Sequence, residues 1–286
     1  MSYRCLTRGS AGYPPSLAAI PDPPAALWLR GDAGPSALSG VALAVVGARS
    51  CSPYGRAVAR SLARDAAAAG ATVVSGLARG VDGEAHRGAL EGGGITVAVL
   101  GCGIDRDYPA AHAELARRIV AEGGLVVSEY EPGVEPSPWR FPARNRIIAG
   151  LAQATVVVEA RERSGALITA DFALEDGREV LAVPGEITSG LSKGTNALLR
   201  LGATPVTCAD DVLEALGLTA PPPSAVETDA AGAAVLSALA QGASTIDELA
   251  RATGLAVGDV SAALTALELD ARVSSAEGTY RSTIAR

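Results

Sequence analysis

Residues 139–146, Trp-Arg-Phe-Pro-Ala-Arg-Asn-Arg, put three arginines, an asparagine and two rings into eight positions of a chain that is only 3% aromatic. Guanidinium groups interleaved with flat rings suit single-stranded nucleic acid, where cations hold the backbone and rings stack on bases. The plainer alternative is a solvated helix start with Phe141 turned into the core. A second candidate is the run 45–55, Val-Val-Gly-Ala-Arg-Ser-Cys-Ser-Pro-Tyr-Gly. There Gly47 closes an apolar run, and Ser50 to Pro53 supply the cap and opening of a helix. Free N–H groups at such an end suit an anion, and Arg49 can add a bidentate phosphate contact. Further along, residues 159–169 and 190–196 bring small residues, hydroxyls and basic groups to helix entrances, among them Lys193, the chain's only lysine. Both segments suit phosphate through backbone N–H groups.

Other chemistries fit less well. Arg49 stands where the dinucleotide fingerprint G-x-G-x-x-G needs its second glycine, and Arg106 replaces the third glycine after Gly101-Cys-Gly103. The second apolar run ends in Ser75-Gly76, with no acid to hold a ribose hydroxyl, which argues against NAD. No G-x-x-x-x-G-K-[S/T] occurs, which excludes a P-loop, and no cofactor is expected. Asp82 and His86 share a helix face at i, i+4 spacing, but a metal or catalytic pair would need a further ligand nearby. They read as a capping and orienting pair that shapes the loop. Glu129 and Glu159 close two more apolar runs. As a catalytic pair they would make the chain a nucleotide-processing, N-glycosidase-like enzyme. As structural carboxylates they would pair with Arg144, Arg146 or Arg161 and hold loops in place. The second reading is preferred, and the chain is read as not an enzyme.

These loops need a frame. Residues 41–206 repeat a short β-branched run, a glycine turn and a helical stretch. The runs are Val41–Val46, Ala71–Val74, Ile95–Leu100, Leu125–Val127, Ala154–Val158 and Glu179–Val183. They are continuous rather than alternating, as strands buried on both faces of a parallel sheet must be. Helical stretches fall at Tyr54–Ala69, Ala110–Ala121, Arg146–Ala152 and Leu167–Glu175, with Gly70 and Gly177 at C-cap positions. The alternation predicts a Rossmann-like, doubly wound α/β domain with a mostly parallel sheet over 41–218, and ligands at the carboxyl ends of its strands. Ahead of it, residues 1–40 form a proline-rich lead-in, read as an irregular arm or short helical segment. Behind it, 219–226 is a stiff proline-rich linker. Residues 227–286 then show three helical patterns, 230–240, 245–252 and 257–269, and a hairpin near 272–280, which together predict a winged-helix domain. Thr245 and Glu248 fit a capping box for the second of those helices.

The chain's 286 residues, 48% of them hydrophobic, suffice for one full domain and a smaller one. No apolar run reaches the roughly 20 residues that cross a bilayer, and Met1–Ala11 lacks a signal core, so no membrane association and a cytoplasmic location are expected. Cys5, Cys51, Cys102 and Cys208 form no C-x-x-C pair and only His86 and His112 accompany them, so neither metal nor disulfide framework is expected. A net charge of −7 argues against indiscriminate nucleic-acid binding but allows a local basic groove.

The succession GARS…YG, SGLARGVD…AH, GCGIDRDYP, FPARNRIIAGL, SGALITADFALEDGREVLAVPG and SKGTNALLRLGA resembles the DprA (Smf) family from end to end of the α/β domain. The lead-in YPPSLAAIPDPPAALWLRG is similar to the segment that precedes it there. The resemblance implies a Rossmann-like homodimer that binds single-stranded DNA in a basic pocket. It also implies help in loading the recombinase RecA onto incoming strands during natural transformation. By motif position the pocket would use Gly47, Arg49 and Ser50, with Gly76 nearby, and Phe141, Arg144, Asn145, Arg146 and Lys193. Family members often carry an N-terminal helical domain, of which no whole copy is expected in these residues, and His112 stands where asparagine is usual.

From Val226 onward four arginines face eight carboxylates, and the predicted recognition helix 257–269 has Asp259 and Glu268 and no basic residue. A major-groove reader loses heavily by that against phosphates. The winged-helix segment is therefore expected to contact protein or the chain itself, not duplex DNA.

Overall fold

A computed structural model of the chain describes residues 3–34, 36–220, 229–269, 272–276 and 278–282. Contacts divide it into two compact units, split between residues 220 and 221.

In the first unit the lead-in is not an arm. It forms β1 (Arg4–Thr7), α1 (Pro15–Ala18), β2 (Ala26–Arg30) and α2 (Ser36–Ser39). Strand β2 alternates Leu27 and Leu29 inward, and Tyr13 donates its hydroxyl to Pro24 O at 2.7 Å, folding the prolines back over the core. The rest runs β3 (Ala42–Val46), α3 (Pro53–Ala68), β4 (Thr72–Ser75), α4 (Val81–Glu91), β5 (Thr96–Leu100), α5 (Ala113–Ala121), β6 (Leu125–Ser128), α6 (Arg140–Leu151), β7 (Ala154–Val157), α7 (Gly165–Glu175), β8 (Glu179–Ala182), α8 (Lys193–Arg200), β9 (Thr204–Pro205) and α9 (Ala209–Ala215). The sheet order is β1-β2-β6-β5-β4-β3-β7-β8-β9. Strands β3 to β9 run parallel, while β2 joins β6 antiparallel with Leu29 opposite Val127, and β1 pairs antiparallel outside it.

Both faces are covered. On β5, Val97 and Val99 enter a core shared with α1, α2, α6 and α7, whereas Ala98 and Leu100 enter a second core under α4 and α5. Two-sided burial is why these strands read as unbroken apolar runs. The chain moves outward from β3 through β4, β5 and β6, then returns to β7 on the other side of β3. That reversal opens a crevice at the carboxyl ends of β3 and β7. No helix among the described residues is long and apolar enough to cross a membrane.

The second unit packs α10 (Ala230–Ala240), α11 (Ile246–Thr253) and α12 (Val257–Leu269) around Val235, Leu249, Val260 and Leu264, beside the hairpin β10 (Val273–Ala276) and β11 (Thr279–Ser282). Three helices and a two-stranded wing make it a winged-helix module. The Thr245 hydroxyl accepts from Glu248 N at 3.3 Å and the Glu248 carboxylate accepts from Thr245 N at 3.1 Å, closing the capping box that starts α11. Of the proline-rich linker, residues 221–226 lie outside the described residues.

Candidate nucleic-acid interface

A cavity of about 210 Å³ opens at the β3/β7 reversal. Gly47 and Arg49 after β3, Ala78 and Asp82 around the start of α4, Phe141, Arg144 and Asn145 on α6, and Ser164, Gly165 and Thr169 at the start of α7 line it. Four loops far apart in sequence meet here because all leave the same edge of the sheet.

The loop after β3 is clamped from two sides. Ala48 N donates to Glu159 O at 2.7 Å, and Val81 N donates to Ala48 O at 3.2 Å. A Cβ at Gly47 would lie 2.6 Å from Val81 Cγ2 and 3.0 Å from Glu159 O, so only glycine fits. Gly80 opposite it has φ +76, and a Cβ there would meet Ala48 O at 2.2 Å. So gripped, the loop turns Arg49 outward, where its guanidinium lies 5.6 Å from the Phe141 ring centroid. Phe141 in turn stacks on Tyr108, with centroids 5.1 Å apart and 24° between planes.

The helix entrance behind this loop is already taken. Glu159, at the end of β7, accepts Ser52 N at 2.8 Å on Oε2 and the Ser52 hydroxyl at 2.5 Å on Oε1, while Ser52 Oγ caps Gly55 N at 3.0 Å. A Cβ at Gly55 would stand 2.4 Å from Glu159 Oε2. The anion expected at the α3 N-terminus is therefore the protein's own carboxylate, which satisfies the first turn and the helix dipole. Ser50 is exposed and does not line the cavity.

Arg144 is placed differently from a free phosphate ligand. It is 4% exposed, and its guanidinium donates to Gly76 O at 2.8 Å and to Val99 O, tying α6 to the ends of β4 and β5. Burial pushes its pKa down to about 10, opposed by the nearby Asp82 carboxylate. Asp82 accepts from Gly76 N at 3.1 Å and Ala78 N at 3.3 Å, and burial raises its pKa against the pull of Arg144. Gly76 separates the two groups: a Cβ there would lie 2.5 Å from Arg144 Nη2 and 2.7 Å from Asp82 Oδ2. Gly76 is thus a spacer between charges, and Arg144 forms cavity wall. Asn145 donates Nδ2 to Gly165 O at 3.0 Å, which fixes the α7 entrance where Ser164 Oγ caps Ala166 N at 3.3 Å.

Asp82 and His86 do not bond each other. His86 is fully buried with Nδ1 2.7 Å from Thr96 Oγ1, and burial lowers its pKa to about 3. His112 takes the orienting part instead, donating Nδ1 to Leu77 O at 2.8 Å, and Leu77 holds φ +58 between Gly76 and Ala78.

Two expected contacts leave the site. Arg146 points away, its guanidinium paired with both Glu129 oxygens at 2.9 and 2.7 Å and with Asp22 at 2.9 Å. This pair joins α6 to the end of β6 and to the lead-in, and a cation so engaged is not free for phosphate. Lys193, the first residue of α8, is exposed and outside the cavity wall, with Nζ 4.0 Å from Glu162 Oε1. Its helix is docked beside the site by Gly194 N, which donates to Ala160 O at 2.8 Å.

The stretch 139–146 is not a loop: α6 begins at Arg140, six residues before the expected Arg146. Pro142 sits in its first turn, where proline is tolerated, and that proline obscured the helix in the sequence. The Arg140 guanidinium lies 4.8 Å from the Tyr130 ring centroid and 5.0 Å from that of Trp139. Tyr108 and Tyr130 were missed because each stands alone in its own loop, and only the fold brings them to α6. Among the described residues, no group of three His, Cys, Asp or Glu side chains is placed to hold a metal.

The arrangement presents stacked rings, an outward guanidinium and a helix entrance around one concave site, equipment for a flat, anionic ligand. Comparison with known proteins agrees on the kind of protein. A family profile described as DNA recombination-mediator protein A matches residues 4–217, and one described as DprA winged helix domain matches 219–279. Protein Smf of Escherichia coli K12 is 40% identical over 290 residues, covering 98% of this chain and 77% of that one. DNA processing protein DprA of Streptococcus pneumoniae R6 is 44% identical over 205 residues, 70% of each chain. The solved S. pneumoniae DprA superposes with a TM-score of 0.70 at 42% identity over 74% of each chain. DprA of Helicobacter pylori, described for its single-stranded DNA binding mode, gives 0.67 at 30% identity over 75% of this chain and 95% of that one.

Proposed function

The chain belongs to the DprA (Smf) family of DNA recombination-mediator proteins, and from that premise we propose that it binds single-stranded DNA at the cavity between β3 and β7. The observation that carries this reading is the Arg49–Phe141–Tyr108 stack beside the cavity, a cation over rings at the mouth of a concave site. Arg49 meets phosphate, the Tyr108–Phe141 ring stack offers a face to a base, and Gly165 at the α7 entrance offers its backbone N–H to a second phosphate. Gly47, Gly76, Arg144 and Asn145 hold these parts in place. The exposed Lys193 adds a point charge beside the α7 loop.

The protein acts without catalysis in this reading, which the engagement of both strand-end glutamates supports: Glu129 holds Arg146 and Glu159 holds the start of α3. It works in the cytoplasm as a homodimer that hands single strands to RecA during DNA uptake and recombination.

Fluorescence anisotropy with a labelled single-stranded oligonucleotide, its duplex as control, across a salt series tests the site. Arg49→Ala should weaken binding to all single strands alike and reduce the slope of log K against log salt by about one. Arg146→Ala should leave that slope unchanged, because its charge is spent on Glu129. An unaltered slope with Arg49→Ala places the binding surface elsewhere, and no preference for the single strand overturns the reading.

A further inference from the structure

Trp139 is 62% exposed, although one face of its ring is held against the Arg140 guanidinium. The chain's other tryptophan, Trp28, is half-buried in β2. Arg140 is pinned by its bond to Glu135 O and its guanidinium also lies 4.8 Å from the Tyr130 ring centroid, so the indole rests on an ordered group. Large rings left in water beside polar groups mark a surface that meets something. With Tyr108 and Phe141, four of the chain's ten aromatic side chains gather around the start of α6.

Positions 139 and 141 cannot share a helix face. The two stacks, Tyr108–Phe141–Arg49 and Tyr130–Arg140–Trp139, therefore flank the first turn of α6. That turn has no side-chain cap and carries the positive end of the helix dipole. A ligand reaching both stacks must be flat at two places and negative between them, which describes consecutive nucleotides of an unpaired strand. A base in a duplex has its faces covered by its neighbours and cannot stack here.

We propose that Trp139, backed by Arg140 and Tyr130, is a second base-stacking platform, which takes a further nucleotide of the strand held at the cavity. It rests on the single-strand reading above and lengthens the occupied site beyond the pocket. Because any base has a π-face, the platform tolerates any sequence and rewards strand length.

The test uses the full-length protein and labelled oligothymidylates of increasing length, read by anisotropy and by tryptophan emission. For strands long enough to span both stacks, Trp139→Ala should weaken binding roughly 5- to 150-fold, the range for loss of one base stack. The shortest strand that binds should be unaffected, and Trp139→Phe should keep most of the affinity. Emission of the native protein should be quenched by long strands and not by the shortest, with Trp28 as a constant background. Native affinity of Trp139→Ala at every length, with native protein still binding, overturns the platform and leaves the pocket standing. Failure of the native protein to bind any single strand overturns the pocket reading and the platform with it.

Discussion

At the scale of single residues, side-chain type was legible in the sequence and its partner was not. Arg49, Arg144 and Arg146 looked alike as candidate phosphate ligands. The fold sends the first outward, buries the second against two carbonyls and locks the third on Glu129. What separates them is which strand end lies opposite, a long-range fact that no local pattern encodes. Histidine shows the same limit, for His86 is sealed in the core with its pKa near 3 while its spacing to Asp82 implied a pair. The folded value lies below the ordinary one near 6.5, so between these values the unfolded chain binds the extra proton. The stability contributed by the neutral ring is full above pH 6.5 and is lost as pH falls toward 3. Going from pH 7 to pH 5 this one residue should cost about 2 kcal/mol. Denaturant unfolding at the two values checks this: His86→Gln should show a pH dependence flatter by that amount, and an identical dependence would mean that the native ring takes up its proton as readily as the unfolded one.

At the scale of elements, buried parallel strands announced themselves, since two covered faces leave only apolar residues to choose from. The elements that escaped are those whose sequences carry a contrary signal. Strands β1 and β2 hide in a proline-rich stretch, yet the prolines occupy the turns between them and leave Ala26–Arg30 free to pair with β6. The start of α6 hides behind Pro142, which costs little in a first turn. This last error mattered for the site. A loop would have let Trp139, Arg140 and Phe141 face one way, whereas a helix divides them into two stacks.

At the scale of the whole molecule, a net charge of −7 and the proposed single-strand binding are compatible because the charge is unevenly placed. The second unit is acidic, and α12, which would enter a major groove, carries Asp259 in its first turn and has no basic residue. That unit has its own core of Val235, Leu249, Val260 and Leu264, so it can be studied as a fragment. Residues 221–286 alone should show no binding to duplex DNA by anisotropy at physiological salt. Measurable duplex affinity would make the wing a second DNA site in place of a surface for protein.

The carboxylate of Glu159 at the start of α3 bears on what the molecule ignores. In folds of this shape the first helix entrance is the socket for a soluble dinucleotide's diphosphate. Here a built-in plug fills it, held by Ser52 and given room by Gly55. For the single-strand capture proposed above, this means selectivity against NAD and ATP: such metabolites find no seat at that entrance. Millimolar NAD or ADP added to a strand-binding titration should displace nothing beyond its contribution to ionic strength, and specific displacement would show that the plug can be pulled.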